Sequence, residues 1–237
     1  MRQAVWFMFA IMGLLGFPAA AWANDRPFQF ARTAVLEDDE NVWSFESWVQ
    51  RYGGVRAFSV EPEYTFSGGM SLQFELTRTV DRRDEQTGHE LELEFKQVFN
   101  NIARDGYGWG ISVRASAERT QENVDDGLGT VPAMSVQLPL SIALGEGGGY
   151  LHLNVGVGKA RHERRAWSSG VGIERELLKR TTFFAELARD GDTRFAQIGV
   201  RHWLRRDRFA LDFSLQQQRG DGRRDSGFIV GLGWYDL

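Results

Sequence analysis

Residues Met70 to Val80 read Met-Ser-Leu-Gln-Phe-Glu-Leu-Thr-Arg-Thr-Val. Side chains on a strand point alternately to its two faces. Met70, Leu72, Phe74, Leu76 and Val80 therefore share one face, and Ser71, Gln73, Glu75, Thr77 and Thr79 share the other. The next stretch sharpens the rule, with Leu91, Leu93, Phe95 and Phe99 alternating with Glu90, Glu92, Glu94 and Lys96. A face carrying three glutamates and a lysine cannot be a dry core. It needs bulk water or a wet interior. Two all-β folds satisfy this: a transmembrane barrel with a polar lumen, and a soluble periplasmic β-protein with an aromatic core and a charged exterior.

The pattern recurs along the chain. Twelve alternating stretches are predicted, near 41–51, 55–66, 70–80, 90–99, 107–119, 131–144, 149–158, 166–177, 181–188, 194–204, 208–218 and 227–236. An even count and spans of about 9–11 residues suit an antiparallel up-and-down barrel in a bacterial outer membrane. The connections Asp81–Gly88, Thr120–Thr130, Lys159–Arg165 and Arg219–Ser226 read as long and charged, whereas Ser67–Gly69, Gly145–Gly148, Leu178–Arg180 and Arg205–Asp207 read as short. Long outer loops and short periplasmic turns are the expected asymmetry. Glycines gather on the polar face, among them Gly108, Gly110, Gly170 and Gly172, where a narrow lumen needs small residues.

Ahead of the strands stands a targeting pattern. Arg2, the apolar run Trp6 to Leu15 and Ala21-Trp22-Ala23 predict a cleavable signal peptide over 1–23. Residues 24–40 read as an irregular lead-in, and 41–237 as the barrel. The 237 residues suit one domain, the net charge of −4 offers no field for nucleic acid, and the absence of cysteine excludes disulfides and CxxC motifs. Eight Trp and seventeen Phe would furnish a lipid face and its aromatic girdles.

The segment Arg26-Pro27…Ala34-Val35-Leu36-Glu37…Trp43-Ser44-Phe45-Glu46-Ser47-Trp48 resembles the start of outer-membrane proteins labelled "MetA-pathway of phenol degradation" or "transporter". That resemblance implies a small barrel in the outer membrane of a Gram-negative bacterium. It implies no functional residues.

The chemistry lies on the polar face. Lumen-lining candidates are Glu75, Glu90, Glu92, Glu94, Lys96, Arg114, Glu174, Glu176, Glu186 and Arg201. Confined carboxylates attract counter-ions, which points to a cation-preferring channel or transporter for small solutes. They also pair with guanidinium groups, which points to a closed structural barrel with a salt-bridged lumen. A lipid-modifying enzyme would need a serine beside a histidine held by a carboxylate. His152 stands two residues before Asn154 with no serine at that spacing, so no catalytic set is assigned. No cofactor or metal site is expected, since Glu90, Glu92 and Glu94 form a row that encloses no ion. Expected partners are outer-membrane lipid, lipopolysaccharide facing Arg161, His162, Arg164, Arg165, Arg223 and Arg224, and the barrel-assembly machinery, although Leu237 stands where a terminal aromatic residue is usual.

Overall fold

The computed structural model describes residues 27–35, 41–83, 85–125, 127–145, 149–161, 163–220 and 222–237. The expected signal peptide, with its Ala21-Trp22-Ala23 site, lies outside the described residues. Twelve strands are present: β1 Val42–Tyr52, β2 Val55–Phe66, β3 Met70–Asp81, β4 Gln86–Val98, β5 Tyr107–Thr120, β6 Val131–Ala143, β7 Gly149–Ala160, β8 Ala166–Leu178, β9 Thr181–Asp190, β10 Thr193–Arg205, β11 Phe209–Gly220 and β12 Arg223–Trp234. Each pairs antiparallel with its neighbours in sequence, and β1 pairs with β12 to close the barrel. The pairing of β2 with β3 lapses at Glu61 and Pro62 and resumes in register at Glu63. Proline has no N–H to give the ladder.

Alternation sorts the side chains inside out. Phe74, Leu93 and Phe95 on the outer surface are 39%, 39% and 40% exposed, whereas Gln73, Glu94 and Lys96 on the inner face are 5%, 2% and 2% exposed. A soluble barrel would show the reverse. Only lipid makes such an exterior favourable, because closure leaves no unpaired strand edge to desolvate. Aromatic rings gather on the outer surface at the end that carries the C-terminus. Trp43 and Tyr64 lie 5.0 Å apart there, and Phe99 and Trp109 lie 4.4 Å apart. This end is called the near end below, and the opposite one the far end.

The connections correct one expectation. Arg219–Ser226 is not a long loop. Gln217 pairs with Ser226 and Arg219 with Arg224, so only residues 221–222 connect β11 to β12. Likewise β3 runs to Asp81 and β4 starts at Gln86. The expected contrast between long and short ends is therefore largely absent. Beyond the apolar band both strand faces are wet, so alternation stops there while the backbone ladder continues. Among the described residues, two connections hold short α-helices, α1 (Ile102–Asp105) at the near end and α2 (Gln121–Asp125) at the far end. Asn101 caps α1 by accepting from the N–H groups of Ala103 and Arg104, and Gly106 ends it with φ 76°.

Candidate functional site: the lumen and the segment inside it

The lead-in is not outside the barrel. Residues 27–35 lie in the lumen, where Phe28, Ala31 and Thr33 are fully buried and Arg32 and Ala34 nearly so. Their path follows one line of paired residues around the wall: Gly108, Ser141, His152, Gly172, Glu186, Gln197 and Gln216. Strands tilt in a barrel, so such a line climbs as it goes round. Ala34 docks near its start, donating its N–H to Ser141 Oγ at 2.8 Å. Phe28 packs against His152 and Phe184, with ring centroids 5.2 and 6.0 Å away. The carbonyl of Pro27 accepts from Gln197 Nε2 at 3.1 Å.

Two inner glycines make the room. A Cβ at Gly172 would come 2.8 Å from the Phe28 ring, and one at Gly108 would collide with the Ala34 carbonyl oxygen. These positions were expected to be small because the lumen is narrow. It is narrow there because a second stretch of chain occupies it.

Charge holds the segment in two places. Glu186, 1% exposed, accepts three successive backbone N–H groups, from Gln29 at 2.9 Å, from Phe30 at 2.8 Å and from Ala31. Bonds to an ionised acceptor are stronger than neutral ones, and here they satisfy three amides that no ladder serves. Arg32 reaches the opposite wall, with Nε 3.2 Å from Glu94 and Nη2 3.8 Å from Glu92. Arg114 meets the same pair at 3.0 and 2.9 Å, and Ser112 Oγ donates to Glu94 at 2.7 Å. Two carboxylates thus face two guanidinium groups, one from β5 and one from the segment.

The remaining candidates are dispersed around the wall. Arg201 forms a bidentate pair with Asp212, both bonds 2.8 Å, and lies over the rings of Trp203 and Tyr235. Tyr235 donates to Glu46, which approaches Arg201 at 3.6 Å. Glu176 sits at the near end with Arg206 at 3.1 Å. Lys96 is buried opposite Ser71 and Ser112. Glu75 is half-buried and accepts from Thr77 at 2.7 Å. Glu90 is half-buried beside a cavity of about 290 Å³ open toward the far end, and Gln29 and Phe30 form its floor. Arg32 was not among the candidates, because its segment has no strand pattern to assign it a face.

One expectation about histidine is corrected. Ser141 Oγ lies 2.8 Å from His152 Nδ1, and His152 Nε2 lies 3.4 Å from Glu174. Register brings together what spacing keeps eleven and twenty-two residues apart. The order hydroxyl, imidazole, carboxylate is that of a hydrolytic triad. Ser141 and His152 are fully buried, however, and Ser141 Oγ already accepts from Ala34, so the chain of bonds anchors the segment. Among the described residues no group of histidine, aspartate and glutamate is arranged to hold a metal ion.

A family profile described as "uncharacterised conserved protein UCP029691" matches residues 23–227. The chain belongs to that family. The profile that matches is a different one from the phenol-degradation group that residues 26–48 resemble. No curated protein matches the sequence. Among solved structures, the KdgM porin in complex with disordered oligogalacturonate is similar over 82% of this chain and 99% of its own, with 13% identity and a TM-score of 0.59. The NanC porin covers 81% and 100% at 9% identity, TM-score 0.56. The translocator domain of the autotransporter NalP from Neisseria meningitidis covers 84% and 90% at 10% identity, TM-score 0.52. At these identities the likeness is one of fold.

Proposed function

We propose that the protein is an outer-membrane channel for small solutes whose passage is closed by its own N-terminal segment. The observation that carries this reading is residues 27–35 seated in a polar-walled barrel beneath a cavity open at the far end. With both chain ends periplasmic, the near end faces the periplasm and the cavity faces outward. The porin neighbours support the same reading by fold. The exposure of Arg164, Arg165, Arg223 and Arg224 at the far end supports the expected lipopolysaccharide contact.

Cation preference belongs to the open state in this reading. With the segment seated, Glu92 and Glu94 are neutralised by Arg32 and Arg114. Withdrawing the segment removes Arg32 and leaves two carboxylates with one guanidinium. The test is planar-bilayer conductance of the full chain and of a chain lacking residues 24–40. The full chain should stay near background and the shortened chain should conduct. Its reversal potential in a salt gradient should favour cations, and Glu92→Gln with Glu94→Gln should reduce that preference.

The rival reading is a closed structural barrel, favoured by the packing of Phe28 on His152 and Phe184. Background conductance of a shortened but correctly folded chain would support it and defeat the channel.

A further inference from the structure

The cavity above the segment has unmet hydrogen-bonding capacity of one kind. Asn154 is 7% exposed; its Nδ2 donates to the Phe30 carbonyl at 3.2 Å and lies 3.5 Å from Gln137 Oε1, while its Oδ1 accepts no bond. Glu92 Oε1 is buried 2.9 Å from Arg114 Nε, but that N–H is directed to Glu94 Oε2, leaving Glu92 Oε1 without a hydrogen bond. Asn154 and Glu92 both line the cavity, and both unmet atoms are acceptors. Buried acceptors left unmet cost free energy, so an occupant that supplies donors is favoured.

The electrostatics narrow the class of occupant. A simple anion entering the depth would meet Glu90 and Glu92, and a simple cation would meet Arg114. The rim carries both signs, Glu163 and Asp190 beside Arg164 and Arg189. Hydroxyl groups can donate to Asn154 and Glu92 and accept from Arg114 without carrying charge. Phe30, whose ring packs 4.8 Å from that of Phe195, is part of the floor, and an aromatic residue suits the C–H face of a sugar ring. The volume, about 290 Å³, is at the lower limit for small-molecule sites.

We propose that this cavity binds a small neutral polyhydroxylated molecule, of mono- or disaccharide size, through Asn154, Gln137 and Glu92 over a floor made by Phe30. Entry of the ligand from outside the cell rests on the orientation given for the channel; binding itself does not. Asn154 and Phe30 serve both ligand and segment, so occupancy and seating of the segment are coupled.

The test is isothermal titration calorimetry of the full chain folded in detergent micelles, with maltose, trigalacturonate and spermidine as neutral, anionic and cationic probes. Maltose should give a saturable heat at millimolar concentration or below and bind more tightly than either charged probe. Asn154→Leu and Gln137→Leu should each weaken it by about tenfold or more, while Trp167→Ala on the outer surface leaves it unchanged. Thermal unfolding identifies any variant that fails to fold, and the other then decides. Absence of saturable maltose heat, stronger binding of a charged probe, or unaltered binding by the folded variants would overturn the proposal. Maltose binding without conductance in the shortened chain would defeat the channel and leave the site. Conductance without maltose binding would do the opposite.

Discussion

Glu186 is the point at which the N-terminal segment can be loosened with the least disturbance to the barrel. Its carboxylate accepts from three consecutive amides and lies on the inner face, away from lipid. Glu186→Ala removes both acceptor oxygens, and with them all three bonds. Gln29 and Phe30 are half-buried beside the cavity, so water can replace two of the bonds. Ala31 is fully buried and its N–H is stranded. A stranded buried amide costs about 1–3 kcal/mol, and each of the two exchanged bonds adds a fraction of that. A total near 3 kcal/mol raises the unseated population about a hundredfold. The chain has no cysteine, so Thr33→Cys provides a single reporter of similar size at a fully buried position. Under slow labelling by a maleimide, the modification rate follows the open fraction. The rate should rise about a hundredfold in the Glu186→Ala background, and less in Glu186→Gln, which keeps one acceptor. Equally slow labelling in both backgrounds would show that these amides do not hold the segment. Rapid labelling in both would show that it is not seated.

Three further outcomes are expected. Phe74→Arg places a charge against lipid and should cost roughly 2–4 kcal/mol of folding free energy in lipid vesicles, measured by urea titration, whereas Gln73→Arg on the inner face should cost much less. Glu94→Leu removes the partner of Arg32, Arg114 and Ser112 from a buried cluster; breaking such a pair costs about 3–5 kcal/mol, so the thermal midpoint in detergent should fall clearly. Intact mass of protein recovered from outer membranes should correspond to a chain starting at Asn24; a retained N-terminus would refute cleavage after Ala23.

The barrel was legible because it obeys a period of two that lipid enforces on one side and polar packing on the other. Where neither solvent constrains the strand, as at Arg219 to Ser226, both faces are polar and a paired ladder reads as a loop. The segment 27–35 was harder to read. Its residues take their places from the wall of a folded barrel, and no local period marks them. Two signals pointed to it indirectly: glycines at 108 and 172, and Phe184 on an otherwise polar face. The Ser141–His152–Glu174 chain was hidden for another reason. Strand register creates it, and register is a relation between strands.

The position of the segment also sets an order of assembly. Residues 27–35 are synthesised before every strand, yet the surfaces that receive them belong to β4 through β10. Their docking site does not exist until most of the polypeptide has been made. Only five residues, 36–40, separate Val35 from Asn41, and β1 must then meet β12. Sealing the seam and loading the lumen are therefore tied together by a short tether. A chain whose inner wall is damaged can still complete its ladder around an empty bore. If the barrel is the channel proposed above, the cell would then receive an open hole in its envelope, where loss of a strand would have left only a misfolded protein for proteases to clear.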